Sequence, residues 1–170
     1  MFFLPKVVKN IFQEVFSLFR FKTIAYLQET WWLEVQGSLE FEFPARTYSL
    51  FFRLQLGRAS KRRGRRVVNG EQIHGWNVKP VQFHISSSTF SSNADGFHPL
   101  ASTEYCLDDE PVGKWKLYHV GDFEVENSWG STKLNFSMSQ IDCTHNKGGL
   151  SFDSVLIYPS HSCKVRSIDN

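Results

Sequence analysis

From Leu33 to Phe43 the chain alternates. Leu33, Val35, Leu39, Phe41 and Phe43 are apolar, and Glu34, Gln36, Glu40 and Glu42 stand among them. A period of two marks a strand with one face on a core and the other in water. TYSLFFRLQL repeats the rule, with Tyr48, Leu50, Phe52, Leu54 and Leu56 on one face, and Pro44 turns the chain between the two runs. VQFHI, KWKLYHVGDFEV, TKLNFSMSQI and GLSFDSVLIYP follow the same pattern. Short strands separated by Gly, Ser, Asn and Pro clusters predict an all-β, antiparallel sandwich or barrel.

The first twenty residues differ. Val8, Ile11, Phe12, Val15, Phe16 and Phe19 recur at spacings of three and four, while Lys6, Lys9, Gln13 and Ser17 fill the other face. This predicts a short amphipathic N-terminal helix over 1–20. Its Phe stripe suits a face that covers the main domain better than a membrane-surface or partner helix. Two stretches interrupt the strands and read as loops. One is GRASKRRGRRVVNGEQ, after Leu56. The other is the polar, Ser-rich run over 86–105.

Composition narrows the picture. The 170 residues suit one domain with a real core, and 16 Phe and five Trp can fill it. A net charge of +2 gives no global basic field, so nucleic acid is not an expected partner. No stretch is long and apolar enough to span a bilayer, and the broken N-terminal pattern is not a secretory signal. The cysteines are Cys106, Cys143 and Cys163. An odd count without short spacings is no disulfide framework and points to a reducing compartment.

Candidate chemistry is sparse. Cys143 and His145, with Asp142 and Lys147 nearby, could meet on one side of a strand. A thiolate nucleophile also needs an oxyanion site, and zinc needs four ligands at suitable spacing. Neither is in view, and Asn146, Lys147, Gly148 and Gly149 are turn formers. A turn between two strands is the expectation, with no metal and no cofactor. Glu34, Glu40 and Glu42 on one strand read as a solvated face. The basic run holds Arg58, Lys61, Arg62, Arg63, Arg65 and Arg66. It reads either as a solvated loop or as a functional patch: a nuclear import signal centred on Lys61, Arg62, Arg63, Arg65 and Arg66, or an RNA contact. Tryptophans are the better clue, because an exposed indole can stack on the C–H face of a sugar. Trp31 and Trp32 are adjacent, so on a strand one should be core and the other outward. Trp76, beside Asn77 and His74 in HGWNVKP, reads either as core or as a ligand platform. Trp129 sits in a turn.

The runs FRFKTIAYLQETWWLEVQGSLEFEFPARTYSLFFRLQLGR, VVNGEQIHGWNVKPVQF, KWKLYHVGDFEVEN and STKLNFSMSQIDCTHNKGGLSFDSVLIYPS, in that order, resemble a plant phloem protein 2 domain. The match is to the class often found behind an F-box and, more distantly, to the tobacco lectin Nictaba. It implies a jelly-roll-like β-sandwich over 21–163, preceded by the 1–20 segment and followed by a tail over 164–170. It also implies a non-enzymatic lectin of cytoplasm or nucleus that recognises N-acetylglucosamine oligomers or N-glycan cores on glycoproteins. Lectin members place tryptophans ahead of the first matched strand, and this chain has none there, so weak sugar binding is the expectation. The candidate contacts are Trp76, Asn77, Trp115 and Gln140, with Trp115 also read as a packing residue. The alternative is a protein-interaction or substrate-recognition domain of F-box type origin that has lost sugar binding. Leu4–Pro5 followed by Ile11–Phe12 is weakly similar to the opening helix of an F-box, so 1–20 reads as a divergent or truncated segment.

Overall fold

A computed structural model describes residues 2–3, 24–62, 65–69, 72–89, 98–107, 111–126 and 131–160. Among the described residues there are eleven strands: β1 Phe2–Phe3, β2 Ala25–Thr30, β3 Leu33–Phe41, β4 Arg46–Leu56, β5 Arg58–Arg62, β6 Arg65–Asn69, β7 Val81–Thr89, β8 His98–Tyr105, β9 Lys116–Val125, β10 Thr132–Gln140 and β11 Lys147–Pro159. They form a five-stranded sheet in the order β1-β3-β10-β7-β8, a four-stranded sheet in the order β2-β11-β4-β9 and a two-stranded ribbon, β5-β6. Pairing is antiparallel except where β1 lies parallel to β3. The fold is thus all-β, as the alternation predicted, and is the jelly-roll-like sandwich that the resemblance implied.

Strand β4 shows why. Tyr48, Leu50, Phe52, Leu54 and Leu56 are all buried and face the five-stranded sheet. There they meet Val81, Phe83 and Ile85 of β7 and Leu134 and Met138 of β10. Aromatic rings join the two sheets. Phe52 meets Phe83 edge-on at 5.2 Å, and Phe83 stacks on Tyr118 of β9 at 6.1 Å. Edge-to-face and stacked pairs of this kind add about 0.5–1.5 kcal/mol each beyond the area they bury.

One side of the sandwich is closed by hydroxyls. Thr103 Oγ1 of β8 donates to the Val120 carbonyl at 2.8 Å, and the Tyr105 hydroxyl donates to the His119 carbonyl at 2.7 Å. The edge carbonyls of β9 are thereby capped from the opposite sheet, which blunts an edge that could otherwise pair with another chain.

Burial pushes the Tyr118 phenol up to about 12 from an ordinary 10.0. A raised folded-state value means stability that is complete below pH 10 and lost as pH rises toward 12. Two units correspond to about 2.7 kcal/mol. Urea unfolding of Tyr118→Phe should therefore show a shallower loss of stability between pH 9.5 and 12 than the wild type. Parallel curves for the two proteins would contradict the burial of this phenol.

Two expectations need correction. The basic run is not a loop: residues 58–62 and 65–69 pair as a two-stranded antiparallel ribbon, with Lys61 opposite Arg66 and Arg62 opposite Arg65. Val67 and Val68 supply β-branched residues, and nothing in Arg or Lys prevents extended backbone. The run over 86–105 is largely strand too, because β7 continues to Thr89 and β8 begins at His98. β8 is a mostly exposed edge strand, so it never needed an apolar alternation. The helix expected over 1–20 lies outside the described residues, except for Phe2–Phe3, which are extended.

Candidate functional site

The crossover between β2 and β3 is two residues long, and both are tryptophans. β2 ends at Thr30 in the sheet of β11, and β3 starts at Leu33 in the sheet of β10. The chain steps from one sheet to the other at Trp31–Trp32, so the period-two rule does not apply there. Neither ring enters the core: Trp31 is 54% exposed and Trp32 53%. The expectation of one inward and one outward ring is thereby corrected.

These two exposed rings sit on anchored backbone. The Thr30 hydroxyl donates to the Trp32 carbonyl at 2.8 Å and accepts from the Trp32 N–H at 3.3 Å. The Trp32 indole N–H donates to Glu34 Oε2 at 3.2 Å, and the Gln36 amide holds Glu34 Oε1. The Trp31 carbonyl accepts from the Lys147 ammonium at 2.8 Å. An exposed large side chain ordinarily costs entropy to immobilise on binding; a ring on a fixed base loses less.

The neighbouring turn, 141–146, completes this end of the sandwich. Gln140 pairs with Leu33 at the last rung of the β10–β3 ladder, which brings Ile141, 53% exposed, beside the crossover. Asp142 Oδ1 accepts from the Thr144 N–H at 2.8 Å, and hydrogen bonds from Thr144 hold the Asp142 carboxyl below its ordinary value. The Asn146 amide donates to Glu29 of β2. Cys143 and His145 do not form a pair. Cys143 is exposed and its thiol reaches the Ile141 carbonyl, whereas a ring nitrogen of His145 faces the Gly75 carbonyl at 3.1 Å. The segment is a turn. Among the described residues no three His, Cys, Asp or Glu side chains converge as a metal site, and no helix is long and apolar enough to cross a membrane.

Lys147 is fully buried, and its side chain ends on three backbone carbonyls: Trp31 at 2.8 Å, Gln140 at 3.1 Å and Asp142 at 3.1 Å. Desolvation pulls its pKa below that of an ordinary lysine, against the pull of Cys143 and Asp142. A lowered folded-state value means that its contribution to stability is gained only as pH rises toward the ordinary lysine range. At neutral pH the buried charge weighs against the fold.

The candidates named from the sequence are scattered. Trp76 is 1% exposed, and its indole N–H donates to the Gly148 carbonyl at 2.6 Å. Its polar neighbours reflect a surface turn, but the ring points inward and offers no stacking face. Asn77 is exposed in that turn. Gln140 is buried, with its amide on the Lys79 carbonyl, so it cannot reach a surface ligand. Trp115, half-buried just ahead of β9, lies against the Arg53 guanidinium at 4.9 Å on the outer face of the four-stranded sheet. Arg53 in turn pairs with Asp153 at 2.7 Å. These residues do not form one site. Sequence reasoning missed the Trp31–Trp32 pair, although two adjacent indoles at a strand boundary were a usable signal.

The profile of the phloem protein 2 family matches residues 11–159. The chain belongs to the phloem protein 2 family. It is 53% identical over 148 residues to the F-box protein PP2-A11 of Arabidopsis thaliana, covering 86% of this chain and 47% of that protein. To the F-box protein PP2-A12 of the same plant it is 54% identical over 146 residues, covering 85% and 46%. To the F-box protein PP2-A13, also from Arabidopsis thaliana, it is 50% identical over 145 residues, covering 85% and 47%. The chain thus spans about half the length of the curated relatives it matches. Among solved structures, TmCBM61 in complex with β-1,4-galactotriose superposes with a TM-score of 0.38 at 20% identity, over 80% of this chain and 68% of that one. That likeness is too loose to bear on the ligand.

Proposed function

We propose that this phloem protein 2 domain is a carbohydrate-recognition module of lectin type, and that it binds through the Trp31–Trp32 end of the sandwich. The observation that carries the reading is the pair of half-exposed indoles on hydrogen-bonded backbone. A sugar ring offers C–H groups to an indole face and hydroxyls to nearby acceptors. Glu34 uses one lone pair of each carboxylate oxygen on Trp32 and Gln36, which leaves others for hydroxyl donors. Glu29 and Asp142 stand at the rim. N-acetylglucosamine oligomers and N-glycan cores are the proposed ligands, and binding rather than catalysis is the proposed activity. The family match supports a lectin-like role.

A second reading rests on a separate observation. Ile141, 53% exposed, stands beside the crossover, and Val78, 52% exposed, lies in the turn before β7. Val78 belongs to the turn whose Lys79 lies 4.0 Å from Asp142. Apolar groups that sugars do not need favour a protein partner. Together with relatives named as F-box proteins, they fit substrate recognition in a protein of that type. The proposed setting is cytoplasm or nucleus, with the β5–β6 ribbon as the import signal and Cys106 and Cys143 as free thiols.

The test is a glycan array with the wild type and with Trp31→Ala/Trp32→Ala. By analogy with bases stacked on aromatic side chains, each ring contributes about 1–3 kcal/mol. The double variant should therefore lose at least about tenfold in affinity, with its melting temperature little changed. A wild type that binds no N-acetylglucosamine or N-glycan ligand removes the glycan reading and leaves the protein-partner reading.

A further inference from the structure

Lys147 is buried, which is rare for a lysine. Its backbone already pairs with Thr30 of β2, so its side chain is not needed to join those strands. What the ammonium adds lies at the strand ends. It gathers one carbonyl from the β2–β3 crossover, one from Gln140 at the end of β10 and one from Asp142 in the turn that follows. The crossover and that turn are the two segments that present Trp31 and Ile141.

We propose that Lys147 is the positioning residue of the Trp31–Trp32 platform: its three N–H donors fix the crossover against the turn, and ligand affinity depends on it although it never touches ligand. The inference rests on the reading of Trp31–Trp32 as the binding end. The chemistry is specific to an ammonium. Three carbonyl oxygens brought together repel one another, and a protonated amine offers a donor to each. A neutral amine offers two. A methionine of similar volume fills the space and offers none, so the carbonyls would separate and the crossover would loosen. Burying this charge on backbone carbonyls does not favour stability, which suits a group kept for geometry.

Glu29, Glu34, Asp142, Cys143, His145, His74 and Lys79 are ionisable groups around this end, from β2, β3, the turn after β10 and the turn before β7. None of them donates to these three carbonyls among the described residues, so none replaces Lys147.

The test compares the wild type with Lys147→Met by amide hydrogen exchange and by titration with chitooligosaccharide. Exchange over 28–36 and 140–146 should accelerate at least about tenfold in the variant, while 48–56 in β4 stays protected. Affinity should fall by about tenfold or more. A second variant keeps the idea open to refutation if Lys147→Met does not fold: Lys147→Gln retains two donors and should fall between the two. Rescue is tested with Lys147→Cys in a background where Cys106, Cys143 and Cys163 are Ser. Aminoethylation of the denatured chain, followed by refolding, rebuilds an ammonium at nearly the same reach and should restore protection and affinity together. Unchanged exchange over 28–36 in Lys147→Met overturns the proposal. So does acceleration spread evenly into β4, which marks a general structural role, and so does faster local exchange with undiminished affinity. If the wild type binds no chitooligosaccharide, the glycan reading fails on its own account, and the exchange pattern and its rescue still decide whether Lys147 fixes the crossover.

Discussion

Trp76→Ala should unfold this domain more readily, with a loss of about 3–5 kcal/mol. The ring is 1% exposed, and the substitution removes a large apolar surface from the core cluster. It also deprives the Gly148 carbonyl of a donor at 2.6 Å. For a chain of this size each kcal/mol moves the melting temperature by about 2–4 °C, so a fall of roughly 6–20 °C is expected. Trp76→Phe separates the two contributions: it keeps an aromatic ring in the core and loses the N–H, and should cost less. A Trp76→Ala protein that melts within a degree or two of the wild type but no longer binds glycan would contradict the core assignment and return Trp76 to the surface.

Gly148→Ala is the second large effect. β11 begins as Lys147-Gly148-Gly149, wedged between β2 and the turn before β7. A Cβ on Gly148 would lie 2.2 Å from the Gln28 carbonyl oxygen of β2 and 2.7 Å from the His74 ring. The oxygen is backbone, so β2 itself must move. Gly149 is constrained differently: its φ of 79° lies in the left-handed region, where a side chain is strained. Overpacking of a fixed site costs about 1–3 kcal/mol or more. Because β2 runs directly into Trp31, Gly148→Ala should lower glycan affinity as well as stability, whereas Trp31→Ala/Trp32→Ala lowers affinity alone. Urea unfolding and binding measured on both variants distinguish these patterns. A Gly148→Ala variant with wild-type stability would mean that β2 and β11 are farther apart than described.

How far the sequence could be read follows from how each residue is packed. β4 was legible because every second residue faces a core built by the opposite sheet, so its pattern is uninterrupted from Tyr48 to Leu56. β3 was legible for the same reason, with Glu40 and Glu42 on the wet side. β8 was not, since an exposed edge strand of Ser, Thr and Ala carries no apolar code. Nor was the β5–β6 ribbon, where a dense charge run hid an extended backbone. Trp31 and Trp32 were misread because alternation was carried through a residue pair that belongs to neither sheet. Trp76 stays open between core and platform in the sequence, since polar neighbours on a turn say nothing about where an indole points; the structure puts it in the core. Lys147 left almost no trace at all: lysines are rarely buried, and its acceptors are backbone carbonyls that no residue type announces.

The account stands or falls on which tryptophans meet the ligand, and this can be observed ring by ring. The protein labelled with 5-fluorotryptophan gives a fluorine resonance for each Trp, assignable by single Trp→Phe variants. On titration with an N-acetylglucosamine oligomer, the resonances of Trp31 and Trp32 should shift together and saturably, while that of Trp76 stays in place. Shifts at Trp76 or Trp115 with Trp31 and Trp32 unmoved would contradict the account.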